Sequence, residues 1–241
     1  MLDYDREAAR YDDTRGGEPR ARSAAAAVLS LVPPTATTLL DVACGTGIVT
    51  AHLRRPGLHV FGADRSAGMA RYAAQRIARV VLADCTALPV AADSLDAVTA
   101  IWLLHLIDDV AGMIAEAARV LRTGGVLITT VDKDAAHDVT SDVDAVLRPF
   151  RNPDPSDKAE TVRRYGADHG LYDAGSADFI GHGQGRTPRG AAANLRGGHF
   201  TSAFRASAAE REALAATLER LPGQDVRRPD PRYRLIALRK T

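Results

Sequence analysis

Apolar residues fall in short uninterrupted runs that stop at glycine, proline or acidic residues. Thr38–Ala43, Leu58–Ala63, Arg79–Ala83, Leu95–Ile101 and Val126–Val131 have the length and composition of buried strands. The stretches between them read as helices: Gly47–Arg55, stopped by Pro56-Gly57; Ser66–Ala78, N-capped by Ser66; and Val110–Leu121, capped by the Thr123-Gly124-Gly125 turn. Two more helices precede the first strand, Glu7–Tyr11 and an Ala-rich Arg20–Leu31 ended by Pro33-Pro34. After Val131 the rhythm changes to a polar segment containing Pro149, Pro153 and Pro155. Strand character returns at Ala177–Gly181 and Tyr233–Leu238, with helices at Arg189–Leu195 and Ala208–Leu221 between them.

Five strands alternating with helices predict an α/β fold, an open and mostly parallel Rossmann-like sheet with helices on both faces. The two late strands suggest an antiparallel, hairpin-like pair at the sheet edge, giving seven strands with the last antiparallel. The expected organisation is one domain over 1–241. It has a helical lid at 1–33, a ligand-binding core at 34–131, an inserted helical cap at 132–175, and the sheet edge with C-terminal helices at 176–241.

Charge changes the picture by exclusion. Lys and Arg number 31 against 30 Asp and Glu, without the basic excess that phosphate-driven nucleic-acid binding usually shows. Two cysteines, Cys44 and Cys85, form no disulfide framework and suit a reducing compartment. The charged N-terminus does not read as a signal peptide, and the uncharged run Ser23–Leu40 is broken by Pro33-Pro34. A cytoplasmic protein without membrane or nucleic-acid partners is the expectation, as monomer or homodimer.

The sharpest chemical feature is Asp41-Val42-Ala43-Cys44-Gly45-Thr46-Gly47, a strand running into a small-residue loop. Gly45 and Gly47 allow close backbone approach, as a nucleotide-type ligand at the carboxyl edge of strand one requires. A Gly-x-Gly-x-x-Gly dinucleotide fingerprint starting at Gly45 fails at Thr50. Asp64 ends the second strand, 17 residues after Gly47, where a carboxylate can accept from both hydroxyls of a ribose; the competing reading is a helix N-cap. Asp84-Cys85 ends the third strand, and Leu95-Asp96 opens the fourth, which leads to Trp102 and His105.

In this order the motifs resemble those of class I S-adenosylmethionine-dependent methyltransferases. The chain departs from their pattern at Ala43, where Gly is usual, and at Thr123 in the Arg122-Thr123-Gly124-Gly125 turn, where Pro is usual. Ala43 fits the loop if its φ is negative. The resemblance implies S-adenosylmethionine as cofactor. It assigns to the cofactor site the glycine loop (Asp41, Ala43, Cys44, Gly45, Thr46), Asp64 at the ribose, Met69, Asp84 and Cys85 at the adenine, and also Arg65 and Trp102. The leader Tyr4-Asp5-Arg6-Glu7-Ala8-Ala9-Arg10-Tyr11-Asp12-Asp13-Thr14-Arg15 looks like that of the ubiquinone/menaquinone-biosynthesis subgroup. By that likeness Tyr11 packs on the methionine moiety and Arg15 pairs with its carboxylate.

Methyl transfer from a sulfonium needs alignment first and a base only where the acceptor must lose a proton. His105 is the candidate catalytic base; the alternative is a structural His shaping the loop after the fourth strand. Asp132, Tyr165 and His199 are candidate substrate contacts. The Asp132, Asp134, His137, Asp138 cluster reads as a loop entry, an amine-recognition site or a hard-metal site, and no metal is expected. The Asn/Asp-Pro-Pro-Tyr/Phe and Pro-Cys signatures of nucleic-acid base methylation are missing, which favours a small-molecule acceptor. The alternatives are an RNA- or protein-directed or non-catalytic member of the same fold, and an NAD-dependent oxidoreductase.

Overall fold

The computed structural model describes residues 3–198 and 203–241. Strands β1 (Thr38–Val42), β2 (His59–Asp64), β3 (Val80–Leu82), β4 (Leu95–Ala100), β5 (Leu121–Val131), β6 (Leu171–Ile180) and β7 (Arg232–Lys240) form one sheet in the order β3-β2-β1-β4-β5-β7-β6. The first five are parallel, and β7 lies antiparallel to both β5 and β6. The strand order reverses between β1 and β4, which is where open α/β sheets place their ligands.

The seven strands, the antiparallel last one and the antiparallel pair of late strands at the sheet edge agree with the sequence pattern. Within that pair β7 lies between β5 and β6, so that β6 is the edge strand. β6 also begins at Leu171, taking in residues that the polar pattern had assigned to the inserted segment. Its side chains are mostly exposed, so its apolar alternation is weak and the pattern hides it.

Helix α3 (Gly17–Leu31) packs on one face of the sheet through Ala21, Ala24, Ala25 and Val28, against Leu39, Ile128, Phe179 and Leu235. The other face is covered by α5 (Val110–Val120) and α7 (Ala159–Ala167), with Ile114, Ala117 and Val162 on Leu40, Val98 and Leu127. Two short leader helices, α1 (Tyr4–Glu7) and α2 (Tyr11–Thr14), precede α3, and α4 (Ala67–Ala73) follows β2. A third apolar cluster is built by α6 (Asp142–Leu147), α8 (Pro188–Arg196) and α9 (Ala208–Leu218). The cap core thus draws on both the segment after β5 and the segment after β6.

The expected helix over Gly47–Arg55 does not form. Its place is taken by turns and a single 3-10 turn at Thr50–His52. Three successive β-branched residues, Ile48, Val49 and Thr50, weaken helix propensity there, and the Thr50 hydroxyl is drawn to Asp41. The shortened segment leaves an open groove of about 510 Å³ lined by Leu53, Arg54, Arg55, Pro56 and Ile77. Among the described residues, no helix is long and apolar enough to cross a membrane, and no group of three His, Cys, Asp or Glu side chains is placed to hold a metal.

Candidate active site

Three neighbouring strands leave the sheet through left-handed, non-glycine residues. Ala43 (φ 55°) follows β1, Trp102 (φ 56°) follows β4 and Asp132 (φ 50°) follows β5. Such backbone is costly for residues with a Cβ and persists only where surrounding contacts hold it. At Ala43 the condition of a negative φ is not met: the residue takes the conformation that explains why Gly is usual there. Gly45 (φ 58°) follows in the same loop, and a Cβ built on it meets nothing within 4 Å, so its outer face is open to a ligand.

Asp64 is the anchor of the loop. Its Oδ2 accepts the Gly45 N–H at 2.8 Å and its Oδ1 accepts the Ser66 N–H at 2.8 Å. Each oxygen keeps a further lone pair for a hydroxyl. Burial raises the Asp64 carboxyl above its ordinary range, with the Ser66 and Gly45 bonds working against that rise. The N-cap of α4 is Ser66, whose Oγ accepts the Met69 N–H at 3.1 Å, so Asp64 is not spent on capping.

Asp41 stands differently. Its two oxygens accept from the Thr50 hydroxyl at 2.5 Å and the Thr99 hydroxyl at 2.8 Å. Burial pushes its pKa up to about 6. The residue ties β1 to β4 and to the loop beneath the site. Asp84, at the end of β3, is exposed and folds into an Asx turn, its Oδ1 accepting from Thr86 N–H at 2.9 Å and Thr86 Oγ1 at 2.7 Å. Cys85 beside it is half-buried, with its thiol pushed up to about 11 by burial and by Asp84. Cys44 is buried, and burial with Asp41 and Asp64 nearby pushes its thiol up as well. Neither thiol has the character of a nucleophile at neutral pH. Arg65 is exposed and lowers the carboxyls of Asp64 and Asp84 electrostatically. Met69 is fully buried in α4.

The leader is docked over this edge by two clasps. Asp5 Oδ1 accepts from Ser66 Oγ at 2.6 Å and Gly68 N–H at 2.7 Å. Asp12 accepts from the Thr46 hydroxyl at 2.6 Å and pairs with Arg76 at 2.7 Å, while Arg76 also donates to the Thr46 carbonyl at 2.8 Å. Thr46 therefore faces the leader. Tyr11 is half-buried, with the Arg15 guanidinium 5.6 Å from its ring centre and the Tyr4 ring 6.3 Å away. Tyr4 is pushed up to about 12, by burial first and by Tyr11.

On the β5 side the candidates separate. His105 lies in a 3-10 turn, Leu104–Leu106, and its ring makes no hydrogen bond among the described residues. Burial, and then Lys133, push its pKa down to about 2, which leaves it neutral throughout the physiological range. Asp132 accepts the Ala159 N–H at 3.2 Å at the start of α7. Tyr165, further along α7, packs against the core that α7 shares with α5. His199 lies outside the described residues. Of the acidic cluster, Asp138 pairs with Arg148 and Arg151, and Asp134 with Lys133. Asp132 and Asp134 join Arg151, Pro153, Pro155 and Lys158 around a cavity of about 180 Å³.

Trp102 is packed among other rings. Its ring meets Phe179 and Tyr233 edge-on, each at 5.5 Å, and the Arg20 guanidinium stacks 4.2 Å from it. Tyr233 Oη lies 3.1 Å from His137 Nε2. Arg20 and Tyr233 carry no local sequence signal for a site. One is a lone Arg in an Ala-rich helix and the other begins a C-terminal strand, and only the topology brings them to the ends of β4 and β5.

Residues 40–129, which carry the glycine loop and the Asp64 anchor, match the family described as "Methyltransferase domain". The demethylmenaquinone methyltransferase of Mycobacterium sp. (strain KMS) is 38% identical over 131 residues, 52% of this chain and 56% of that one. That of Corynebacterium urealyticum is 41% identical over 90 residues, 37% of this chain and 39% of that one. The chain thus spans about half the length, or less, of these curated relatives. Among solved structures, the [4+2]-cyclase SpnF superposes with a TM-score of 0.61 at 19% identity, covering 98% of this chain and 94% of that one. A SAM-dependent methyltransferase from Thermotoga maritima gives 0.57 at 16%, covering 99% and 98%. Geranyl diphosphate methyltransferase in complex with SAM gives 0.53 at 19%, covering 91% and 85%. At these identities the structures speak for the fold.

Proposed function

We propose that the protein transfers a methyl group from S-adenosylmethionine to a small-molecule acceptor. The observation that carries this reading is Asp64: a buried carboxylate at the end of β2, fixed by the Gly45 and Ser66 N–H groups with acceptor capacity left over. The open face of Gly45 supplies room for the ligand beside it. The residues present fit the cofactor. Asp64 would take the ribose hydroxyls, Asp84 and Cys85 the adenine, and the loop from Ala43 to Thr46 with Tyr11 and Arg15 the methionine moiety. Asp41 would act from beneath by holding the loop, and Met69 by packing under α4.

When bound, the cofactor supplies a methyl group already activated as a sulfonium. The chain's part is then to hold the acceptor in place and exclude water. The docked leader and the α6–α8–α9 cap are the elements for that. His105, neutral and poorly basic in this setting, would orient the acceptor by hydrogen bonding instead of removing a proton. An acceptor that reaches the site as an anion or a carbon nucleophile suits this chamber better than a neutral alcohol. Asp132 is held at the rim by α7.

Calorimetric titration separates this reading from a dinucleotide-dependent one. S-adenosylhomocysteine is expected to bind with measurable heat, and NAD to give none. Heat from NAD alone would exclude methyl transfer.

A further inference from the structure

The region past the ends of β4 and β5 contains an electrostatic imbalance. Arg20 sits in the second turn of α3 at 3% exposure, and its Nε is buried with no hydrogen-bond partner. It forms no ion pair among the described residues, and the carboxylate nearest in influence, Asp12, is taken by Arg76 and Thr46. Its guanidinium stacks on Trp102, whose own Nε1–H is also buried without an acceptor. Two adjacent buried donors, one of them charged, thus share a wall that offers no acceptor to either. Removing a cation from water is costly unless a counter-charge meets it. Stacking on an aromatic face offsets only part of that cost, and it leaves the guanidinium edge for a planar or tetrahedral anion.

The surroundings extend the same character. Tyr233 feels Arg20, Arg186 and Arg15 together, and Arg186 is half-buried and within electrostatic reach of Tyr233. The one acidic neighbour of Tyr233 on this side, Asp134, is paired with Lys133. Trp102 lies apart from the cofactor anchor, and Arg20 lies within electrostatic reach of Tyr11, Arg15 and Asp12 of the leader. Trp102 packs toward β6 and β7 through Phe179 and Tyr233, whereas Asp64 and Gly45 stand at β2 and β1, on the other side of β4 in the sheet.

We infer that Arg20 and Trp102 form the receptor for an anionic oxygen group, a carboxylate or phosphate, carried by the methyl acceptor. The assignment to the acceptor rests on the methyl-transfer reading above. An aromatic or alkyl body beside the anion would lie against Phe179, Tyr233 and Trp102.

Trp102 is the only tryptophan of the chain, so its fluorescence reports on this site directly. The test is a titration of the S-adenosylhomocysteine-saturated protein with 3-phenylpropionate, phenyl phosphate and the neutral 3-phenylpropionamide. At least one acid is expected to shift Trp102 emission saturably and to bind about tenfold more tightly than the amide. The acid that does so tells carboxylate from phosphate. Arg20→Met is expected to abolish this preference, to keep S-adenosylhomocysteine affinity within about twofold, and to melt no lower than wild type, because it removes an unpaired buried charge. Arg20→Lys, which keeps the charge but not the planar fork, is expected to retain part of the preference. Equal binding of acids and amide overturns the inference and leaves methyl transfer standing. So does an Arg20→Met variant that keeps the acid preference while losing cofactor affinity, which would give Arg20 to the cofactor. Absence of S-adenosylhomocysteine binding in the wild type overturns the methyl-transfer reading, and with it the assignment to an acceptor.

Discussion

Ala43 shows how one residue can satisfy a motif and still be strained by it. The loop needs a left-handed turn at this position, and Ala takes it at φ 55° where Gly would do so without steric cost. Ala43→Gly is expected to stabilise the fold by about 0.5–1 kcal/mol, the relief of strain less the greater freedom glycine gives the unfolded chain. Thermal melting should show a rise of roughly 2 °C, and a fall would mean that the Ala43 methyl contributes packing worth more than the strain. Asp64 and Asp41 make the complementary point. Both are acidic residues at the ends of adjacent strands, and both were legible as site residues. Only the hydrogen bonds distinguish them. Asp64 retains capacity for a ligand, while Asp41 is spent on Thr50 and Thr99. The spacing of Thr50 and Thr99 along the chain carries no mark of that pairing.

At the scale of elements, the leader and the cap are the parts proposed to govern access to the site. The leader is held by Asp5 at the β2–α4 junction and by Asp12 at the glycine loop. A Cβ at Gly68 would come within 2.8 Å of the Asp5 backbone, so this glycine is required by the clasp and not by its own turn. Gly68→Ala is expected to lift the leader. Limited proteolysis should cut within residues 3–15 faster than in wild type, and S-adenosylhomocysteine binding should weaken several-fold. Unchanged protection would mean that the Asp12–Arg76 clasp holds the leader alone. The strands were readable because buried parallel strands are runs of apolar residues. Elements whose making depends on distant contacts were not readable. The segment after Gly47 loses its helix because Thr50 bonds Asp41, and β6 starts early because it pairs with β7 from Leu171↔Lys240 to Ile180↔Arg232. The cap was read as a single insertion, yet its core joins α6 to α8 and α9 from far along the chain.

For the whole molecule, burial of acids beneath the carboxyl edge sets a pH signature. Asp157 is buried beside Asp134. Its Oδ2 accepts the Lys133 N–H at 2.9 Å, its Oδ1 has no partner, and its pKa is pushed up to about 6. The folded form therefore holds a proton that the unfolded chain releases at about 3.9. The group contributes no penalty below that pH, and destabilises progressively as pH rises through about 6, by up to about 3 kcal/mol. Asp157→Asn removes the ionisation and keeps an acceptor for Lys133. Its melting temperature should equal that of wild type near pH 4 and exceed it at pH 7.5. An advantage that shrinks with rising pH would contradict the assignment.

The central claim is that a cofactor ribose is held by Asp64 at the edge of this sheet. Calorimetry of S-adenosylhomocysteine on wild type and Asp64→Ala tests it most directly. The account predicts binding to the wild type, and a loss of roughly 1–3 kcal/mol in the variant, the cost of leaving the ribose hydroxyls and the Gly45 and Ser66 N–H groups without their acceptor. Equal affinity in the two proteins would contradict it.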